Sequence, residues 1–148
     1  MKLGRINHIG LITESMDRSV AFYRDVMGAE VIHPPFEMGG PDGASICFIE
    51  TGNSQLELIQ PLTPASPFHQ FLADYPTGKQ HHICYEVPDI HEAKSYFEGK
   101  GCRILFGPMI GAHGTMIFFV HPDDMDGVLT EFLEPHGGPN DPNMSERA

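Results

Sequence analysis

The stretch GRINHIGLITESMDRSVAFYRDVMGAEVI (Gly4–Ile32) recurs in recognisable form later in the chain. The second copy, GKQHHICYEVPDIHEAKSYFEGKGCRIL, starts at Gly78, and the offset that places Gly4 on Gly78 defines the repeat. Equivalent positions at this offset are His8 and His82, Ile9 and Ile83, and the aromatic pairs Phe22-Tyr23 and Tyr96-Phe97. An internal repeat of this length predicts two structural modules of the same kind.

The segments that close the two halves match as well. QLELIQP (Gln55–Pro61) aligns with LTEFLEP (Leu129–Pro135) at the same offset, and this places Glu57 on Glu131. The sequence therefore predicts a single domain of 148 residues. Its parts are module one at about 4–61, a linker at 62–78, module two at about 79–135 and a tail at 136–148.

Each half predicts the same βαβββ order of elements. In module one, Ile9 and Leu11 alternate as in a half-buried strand, and Ser15 or Asp17 can cap the helix that follows. Gly28 ends that helix. The expected elements are strands at 5–13, 30–33, 44–50 and 55–60 with a helix at 16–27, and then strands at 79–87, 102–106, 115–121 and 127–134 with a helix at 89–99 capped by Asp89.

The linker and the tail have distinct patterns. Ser66 followed by Pro67 is typical of a helix start and predicts a short helix in the linker. The tail, HGGPNDPNMSERA, has the composition of a chain end that frays.

The order of elements indicates an α+β fold. A four-stranded sheet with one helix leaves one sheet face uncovered in each module. Joining the two mixed sheets into a curved half-barrel would let the uncovered faces enclose a common metal-binding cavity, and this is the fold that we expect.

Composition and charge exclude several classes of protein. Nine Lys and Arg residues against 20 Asp and Glu give a net charge of −11, without the clustered basic face of a nucleic-acid-binding protein. No apolar run predicts a membrane span or a signal peptide, so we expect a cytoplasmic protein. Its three cysteines have no metal-binding spacing, which fits buried, reduced thiols. An anionic substrate would have to be held by a small local set of basic residues.

The repeat also selects candidate metal ligands. His8 and His82 occupy equivalent points on the first strand of each module, and Glu57 and Glu131 occupy equivalent points on the last strand. Two imidazoles and two carboxylates related in this way can converge on one divalent ion. The ligand types suit Co, Ni, Zn, Mn or Fe(II) and do not choose among them.

The stretch KQHHICYEV (Lys79–Val87) contains two adjacent histidines, of which a strand can direct only one to a given face. The repeat places His82 on His8, whereas His81 falls on Asn7. We therefore assign His82 to the metal and His81 to a supporting or structural role.

Four stretches resemble the vicinal oxygen chelate superfamily, which includes glyoxalases, bleomycin resistance proteins and dioxygenases, and within it the methylmalonyl-CoA epimerases. They are NHIGLIT with FYRDVMGAEV, LELIQPLTPASPFHQFL, GKQHHICYEVPDI, and IGAHGTMIFFVHPDDMDGVLTEFLEP. The resemblance covers roughly residues 4–135. It implies paired βαβββ modules around one divalent metal ion held by His8, Glu57, His82 and Glu131.

The same resemblance implies an activity and an assembly. It implies an epimerase or racemase that removes the α-proton of a small acyl-CoA, with methylmalonyl-CoA as the first candidate and Glu131 also acting as the catalytic base. Some family members carry a second carboxylate on the third strand, where this chain has Ser45 or Ile46, so the second base is not assigned. Dimers are common in the superfamily, and we expect a homodimer.

Two observations leave the identity of the substrate undecided. The family's usual Lys after His-Pro is replaced by Asp123. The same metal ligands would also serve a glyoxalase I-like lactoylglutathione lyase acting on a glutathione adduct, and a non-catalytic binding protein of the superfamily is a further alternative. His121 at a strand end and His113 in a Gly-rich loop are candidate substrate contacts.

Overall fold

The structure of the protein is a computed structural model that describes residues 1–75 and 79–144. The chain divides into two compact units. One unit is His8–His81, and the other consists of Met1–Asn7 together with the chain from His82 onward. No helix in the described ranges is long and apolar enough to span a bilayer.

The unit His8–His81 contains the first sheet. Its elements are β1 (Ile6–Ile12, which begins before the unit), α1 (Met16–Ala21), β2 (Glu30–Val31), β3 (Phe36–Met38), β4 (Ala44–Glu50), β5 (Gln55–Pro61) and α2 (Pro67–Asp74). The strands follow the order β2-β4-β5-β1, and β3 also pairs with β4. β1 and β5 are parallel, and the pairs that β4 makes are antiparallel.

The first helix packs on one face of this sheet. Met16 contacts a cluster of buried side chains on β4 and β5 that includes Cys47, Ile49 and Leu58. The predicted helix at 16–27 is confirmed in extent, but from Phe22 to Val26 it is a π-helix. Ser15 is its N-cap and accepts a hydrogen bond from the Arg18 N–H.

The other unit contains the second sheet. Its elements are β6 (Gln80–Glu86, which begins before His82), α3 (Ile90–Gly99), β7 (Ile104–Ile110), β8 (Met116–Val120) and β9 (Thr130–Leu133). The strands follow the order β6-β9-β8-β7. β6 and β9 are parallel, whereas β8 is antiparallel to both of its neighbours.

The α+β class and the two βαβββ modules are confirmed, with one difference in each module. Between the strands predicted at 30–33 and 44–50, module one contains a short strand, β3, that the sequence did not predict. In module two the strand expected at 102–106 continues to Ile110, through residues that we expected to form a loop. β7 accommodates residues 107–110 because its register against β8 shifts on both sides of Phe106.

The expectation that the tail frays is wrong for residues 136–144. The buried Glu134 carboxylate accepts hydrogen bonds from both the backbone N–H and the side-chain amide of Asn140, at 2.8 and 2.9 Å. Asp141 is also buried and accepts from the Gly137 N–H at 2.7 Å. The remainder of the predicted tail, 145–148, and the linker residues 76–78 lie outside the described residues.

A polar side chain from the last strand of each module binds the start of that module's helix. Gln60 Oε1 accepts from the Met16 N–H at 2.7 Å, and Glu134 Oε1 accepts from the Ile90 N–H at 3.0 Å. Met16 and Ile90 are the first residues of α1 and α3. These contacts satisfy helix N–H groups that have no partner within the helix, and they fix each helix to its sheet.

Glu134→Ala should lower the free energy of unfolding by about 2–4 kcal/mol, because it leaves the buried N–H of Ile90 and the partly buried donors of Asn140 without their acceptor. Urea denaturation measures the loss. Glu98→Ala is the control, since Glu98 is half exposed and pairs with Lys94 on the same helix. Equal losses in the two variants would contradict the anchoring role of Glu134.

The N-cap of α3 should make stability depend on pH. The Glu92 N–H, and after it the His91 N–H and the Asn140 amide, donate to Asp89 and lower its pKa despite the opposing effect of desolvation. The folded protein therefore holds this carboxylate ionised at a lower pH than the unfolded chain does. Its stabilisation is complete above the ordinary aspartate pKa and is lost as the pH falls through the lower folded value.

Asp89→Asn tests this dependence, because asparagine caps helices about as well as aspartate but carries no charge. We expect the wild type to melt at a higher temperature than the variant at pH 7, and the difference to shrink on acidification below pH ~4. A difference that does not change with pH in calorimetric melts would contradict the ionic contribution.

Candidate functional site

The unit His8–His81 buries a histidine and a glutamate side by side. His8 Nε2 lies 3.7 Å from Glu57 Oε1. The two residues are only 1% and 6% exposed. The Phe48 ring meets the His8 imidazole edge to face, with centroids 6.2 Å apart, and Phe48 is also the register partner of Glu57. An aromatic wall thus backs the polar pair.

The second unit contains a matching group. His82 Nε2 lies 3.9 Å from Glu131 Oε2, and the residues are 2% and 6% exposed. Phe119 packs edge to face on His82 with centroids 5.2 Å apart, and Phe119 is the register partner of Glu131. The module repeat is therefore expressed as the same trio of side-chain types in both units.

The parallel pairing of the first and last strand of each module produces these pairs. In the first unit Gly10 pairs with Glu57, so that Glu57 stands two residues along from His8 on the neighbouring strand. In the second unit Cys84 pairs with Glu131, which gives the same displacement from His82. Because side chains alternate between faces with a period of two, His and Glu share one face in each sheet.

The geometry of each pair fits two ligands of one metal ion. Distances of 3.7 and 3.9 Å are too long for hydrogen bonds between the paired atoms. Two N or O ligands about 2.1 Å from one ion lie roughly 3.0–3.5 Å apart. Small side-chain movements would therefore let each pair bind a metal, and both pairs consist of the imidazole and carboxylate groups that such ions accept.

Cys84 is a further ligand-type side chain that sequence reasoning did not assign to the site. It is fully buried on the same strand face as His82, and its Sγ lies within 4.8 Å of a Glu131 oxygen. Its position two residues after His82 was the available signal. Because the chain lacks paired cysteine spacing, we expected Cys84 to be one of the buried, reduced thiols.

His81 points to a different environment from that of His82. Its ring lies edge to face against Phe68 and Phe71 of α2, with centroids 5.3 and 5.0 Å apart. Burial among these groups lowers the pKa of His81 to about 4. His81 therefore helps to hold α2 on its unit, in agreement with the structural role that we assigned to it.

The two candidate substrate contacts lie in turns of the second unit. His121 is the N-cap of the short 3-10 turn Pro122–Asp124, and its Nδ1 accepts from the Asp123 N–H at 3.1 Å. The backbone carbonyl of His113 lies 2.9 Å from the ring Nε2 of His136. Contact of either residue with a substrate stays a prediction.

The position considered for a second base carries no ionisable group. Ile46 lies two residues from Phe48 on β4 and is buried, and neither it nor the neighbouring Ser45 is a carboxylic acid. Asp123, which replaces the expected Lys, lies 3.8 Å from the Arg103 guanidinium.

Comparison with known proteins identifies the family. The sequence model of the Glyoxalase/Bleomycin resistance protein/Dioxygenase superfamily matches residues 5–132. The chain belongs to this superfamily. It is 42% identical over 132 residues to an ethylmalonyl-CoA/methylmalonyl-CoA epimerase of Cereibacter sphaeroides, an alignment that covers 87% of this chain and 96% of the relative.

Two further relatives have the same activity in their names. The mitochondrial methylmalonyl-CoA epimerase of Dictyostelium discoideum is 38% identical over 133 residues, covering 89% of this chain and 79% of that protein. A solved structure of a Streptomyces coelicolor methylmalonyl-CoA epimerase variant with 2-nitronate-propionyl-CoA superposes with a TM-score of 0.81 at 32% identity. That superposition covers 93% of this chain and 98% of the other.

The two adjacent histidines should respond differently to substitution. His82→Ala should lose a bound divalent ion, because it removes one of the two imidazoles predicted to bind the metal. His81→Ala should keep the ion and melt at a lower temperature, because it removes the ring packed between Phe68 and Phe71. Elemental analysis after loading with Co²⁺ and dialysis, together with thermal melts, measures both. Metal loss in His81→Ala at an unchanged melting temperature would reverse the assignment.

Proposed function

We propose that the protein is a metal-dependent epimerase that inverts the α-carbon of a small acyl-CoA, with methylmalonyl-CoA as the first candidate. The observation that carries the proposal is the buried His-Glu pair in each module, at positions two strand residues apart. The named activity of relatives at 38–42% identity supports the substrate class.

The proposed metal ligands are His8, Glu57, His82 and Glu131, two from each module. A divalent ion bound there would accept the carbonyl and carboxylate oxygens of the substrate and stabilise negative charge on them. Co, Ni, Zn and Mn all suit these ligands, and the ion's identity is to be measured.

Glu131 is the proposed base. The α-proton of a malonyl-type thioester lies between two carbonyl groups and is weakly acidic, so that a positioned carboxylate can remove it. The environment of Glu131 supports this role, because the side chain is almost fully buried and lies opposite Phe119 on the neighbouring strand. Returning the proton from the opposite side then gives the other stereoisomer.

The residue that returns the proton is not assigned, since Ser45 and Ile46 cannot replace a carboxylic acid. His121 and His113 are the proposed substrate contacts. The ring of His121 is 29% exposed, and its capping bond uses Nδ1, so Nε2 points away from that bond and is available to a ligand.

The proposed assembly is a homodimer, and the proposed location is the cytoplasm. Four apolar side chains of β7 support contact with a second copy, because each of them is between 43% and 47% exposed: Leu105, Phe106, Met109 and Ile110. Exposed apolar side chains grouped on an edge strand are typical of surfaces that pair with another chain.

Proton exchange in deuterated buffer tests the activity. With methylmalonyl-CoA and added divalent ion, the protein should place deuterium on the α-carbon, as followed by NMR. A parallel reaction with methylglyoxal and glutathione tests the lactoylglutathione lyase alternative. Turnover of that adduct without exchange in the acyl-CoA would overturn the proposal.

Glu131→Gln tests the base separately. It should abolish exchange even where metal is retained, because the amide cannot accept the α-proton. Glu98→Gln makes the same chemical change on the surface of α3 and should exchange like the wild type. Exchange at the wild-type rate in Glu131→Gln would show that another group removes the proton.

A further inference from the structure

A groove of about 560 Å³ lies beside α1 in the unit His8–His81. This volume is within the range of small-molecule sites, about 300–1,000 Å³. Its apolar floor includes Leu11 and Leu58, and Phe22 and Tyr23 supply an aromatic wall. Arg18 and Lys79 supply its charge, and none of the described residues that line it is an Asp or a Glu.

The groove brings two cations together in a chain with few basic residues. Acidic residues outnumber Lys and Arg by 20 to nine, and Arg5, Arg24, Lys94 and Arg103 each form an ion pair with a carboxylate. Within the described ranges, Arg18 and Lys79 form none. Two cations that share one groove without a carboxylate partner, in so acidic a chain, favour an anionic ligand.

The helix presents the groove residues in one stripe. Phe22 follows Arg18 by four residues and Ser19 by three, and it therefore lies beside both of them on the helix surface. Phe22 is 46% exposed, and the helix changes from α to π at this residue. π-Helical turns occur frequently at functional sites. An exposed ring beside two cations can stack on a planar ligand that also carries negative charge.

The repeat shows that the fold itself does not require Arg18 and Ser19. At the repeat offset, Arg18 corresponds to Glu92 and Ser19 to Ala93. The aromatic pair is kept: Phe22-Tyr23 and Tyr96-Phe97 have centroids 5.1 and 5.3 Å apart, both edge to face. The modules thus share the aromatic packing, whereas the cation and the hydroxyl beside it are particular to module one.

We infer that the Arg18–Lys79 groove binds the phosphorylated nucleoside of the CoA thioester, an inference that rests on the proposed acyl-CoA substrate. Arg18 and Lys79 bind the phosphates through charge-assisted hydrogen bonds, and Phe22 stacks on the base. The groove contributes to binding the nucleotide end of the substrate and takes no part in proton transfer.

Direct binding of adenosine 3′,5′-bisphosphate is the first test, measured by titration calorimetry. The double variant Arg18→Gln, Lys79→Gln should weaken its binding by roughly tenfold or more, because two charged contacts are lost. Arg24→Gln makes the same charge change on the same helix outside the groove and should bind like the wild type. Equal affinity in the double variant and the wild type would overturn the inference.

The second test separates substrate binding from chemistry. In the double variant the KM for methylmalonyl-CoA should rise roughly tenfold at unchanged kcat, because the groove binds ground state and transition state alike. The KM for methylmalonyl-pantetheine, which lacks the nucleotide, should not change. An unchanged KM for the CoA thioester, or an equal rise for both thioesters, would overturn the inference.

The two tests also distinguish this inference from the proposed function. A wild type that exchanges neither thioester contradicts the epimerase activity. Bisphosphate binding that depends on Arg18 and Lys79 would in that case still support a nucleotide groove. Phe22→Ala should weaken bisphosphate binding, whereas Tyr96→Ala, at the equivalent position of module two, should leave it unchanged.

Discussion

The parallel pairing of the first and last strand in each module is the constraint on which the candidate site depends. Gly10 opposite Glu57 and Cys84 opposite Glu131 are equivalent pairs, and they set the distance between histidine and glutamate in both units. A slip of one residue would turn either glutamate to the helix-covered face of its sheet. Burial of an unpaired carboxylate among apolar side chains costs several kcal/mol, so the register is strongly specified.

The same last strands hold the helices in place. One face of β9 carries Glu131 to the candidate site, and Glu134, at the end of the strand, accepts from the first N–H of α3. In module one the corresponding residues are Glu57 and Gln60. Strand register, helix position and the burial of a candidate ligand are therefore coupled, and a substitution that shifts one of these strands would disturb all of them.

Much of this arrangement was predictable from the sequence because the two modules can be aligned with each other. The constant offset between the modules identified the strands, the helices and the position of both His-Glu pairs without any structure. It also aligned Gln60 with Glu134 and Met16 with Ile90, which is the helix anchoring that we missed. That contact joins residues 44 positions apart. The spacing of hydrophobic residues and the rules for helix caps describe local sequence and cannot predict such a hydrogen bond.

The errors lie where the repeat is interrupted. Phe48 and Phe119 have equivalent contacts but do not align at the repeat offset, because the connection before β9 is longer than the connection before β5. The extra length holds the 3-10 turn capped by His121. The repeat also did not predict the extension of β7 past residue 106 or the ordered residues 136–144. Pairing with β8 holds the extension, and hydrogen bonds from Asn140 to Glu134 and Asp89 hold residues 136–144.

The departures from symmetry are as informative as the symmetry itself. Each sheet carries a His, a Glu and a Phe on one face, as expected if both modules supply similar ligands. The stripe beginning at Arg18 is not duplicated, since Glu92 occupies the equivalent place with the opposite charge. A CoA thioester is itself asymmetric, with a small acyl group at one end and a phosphorylated nucleoside at the other. For the proposed acyl-CoA substrate, one nucleoside site is enough, and the cationic groove in the unit His8–His81 would meet that requirement.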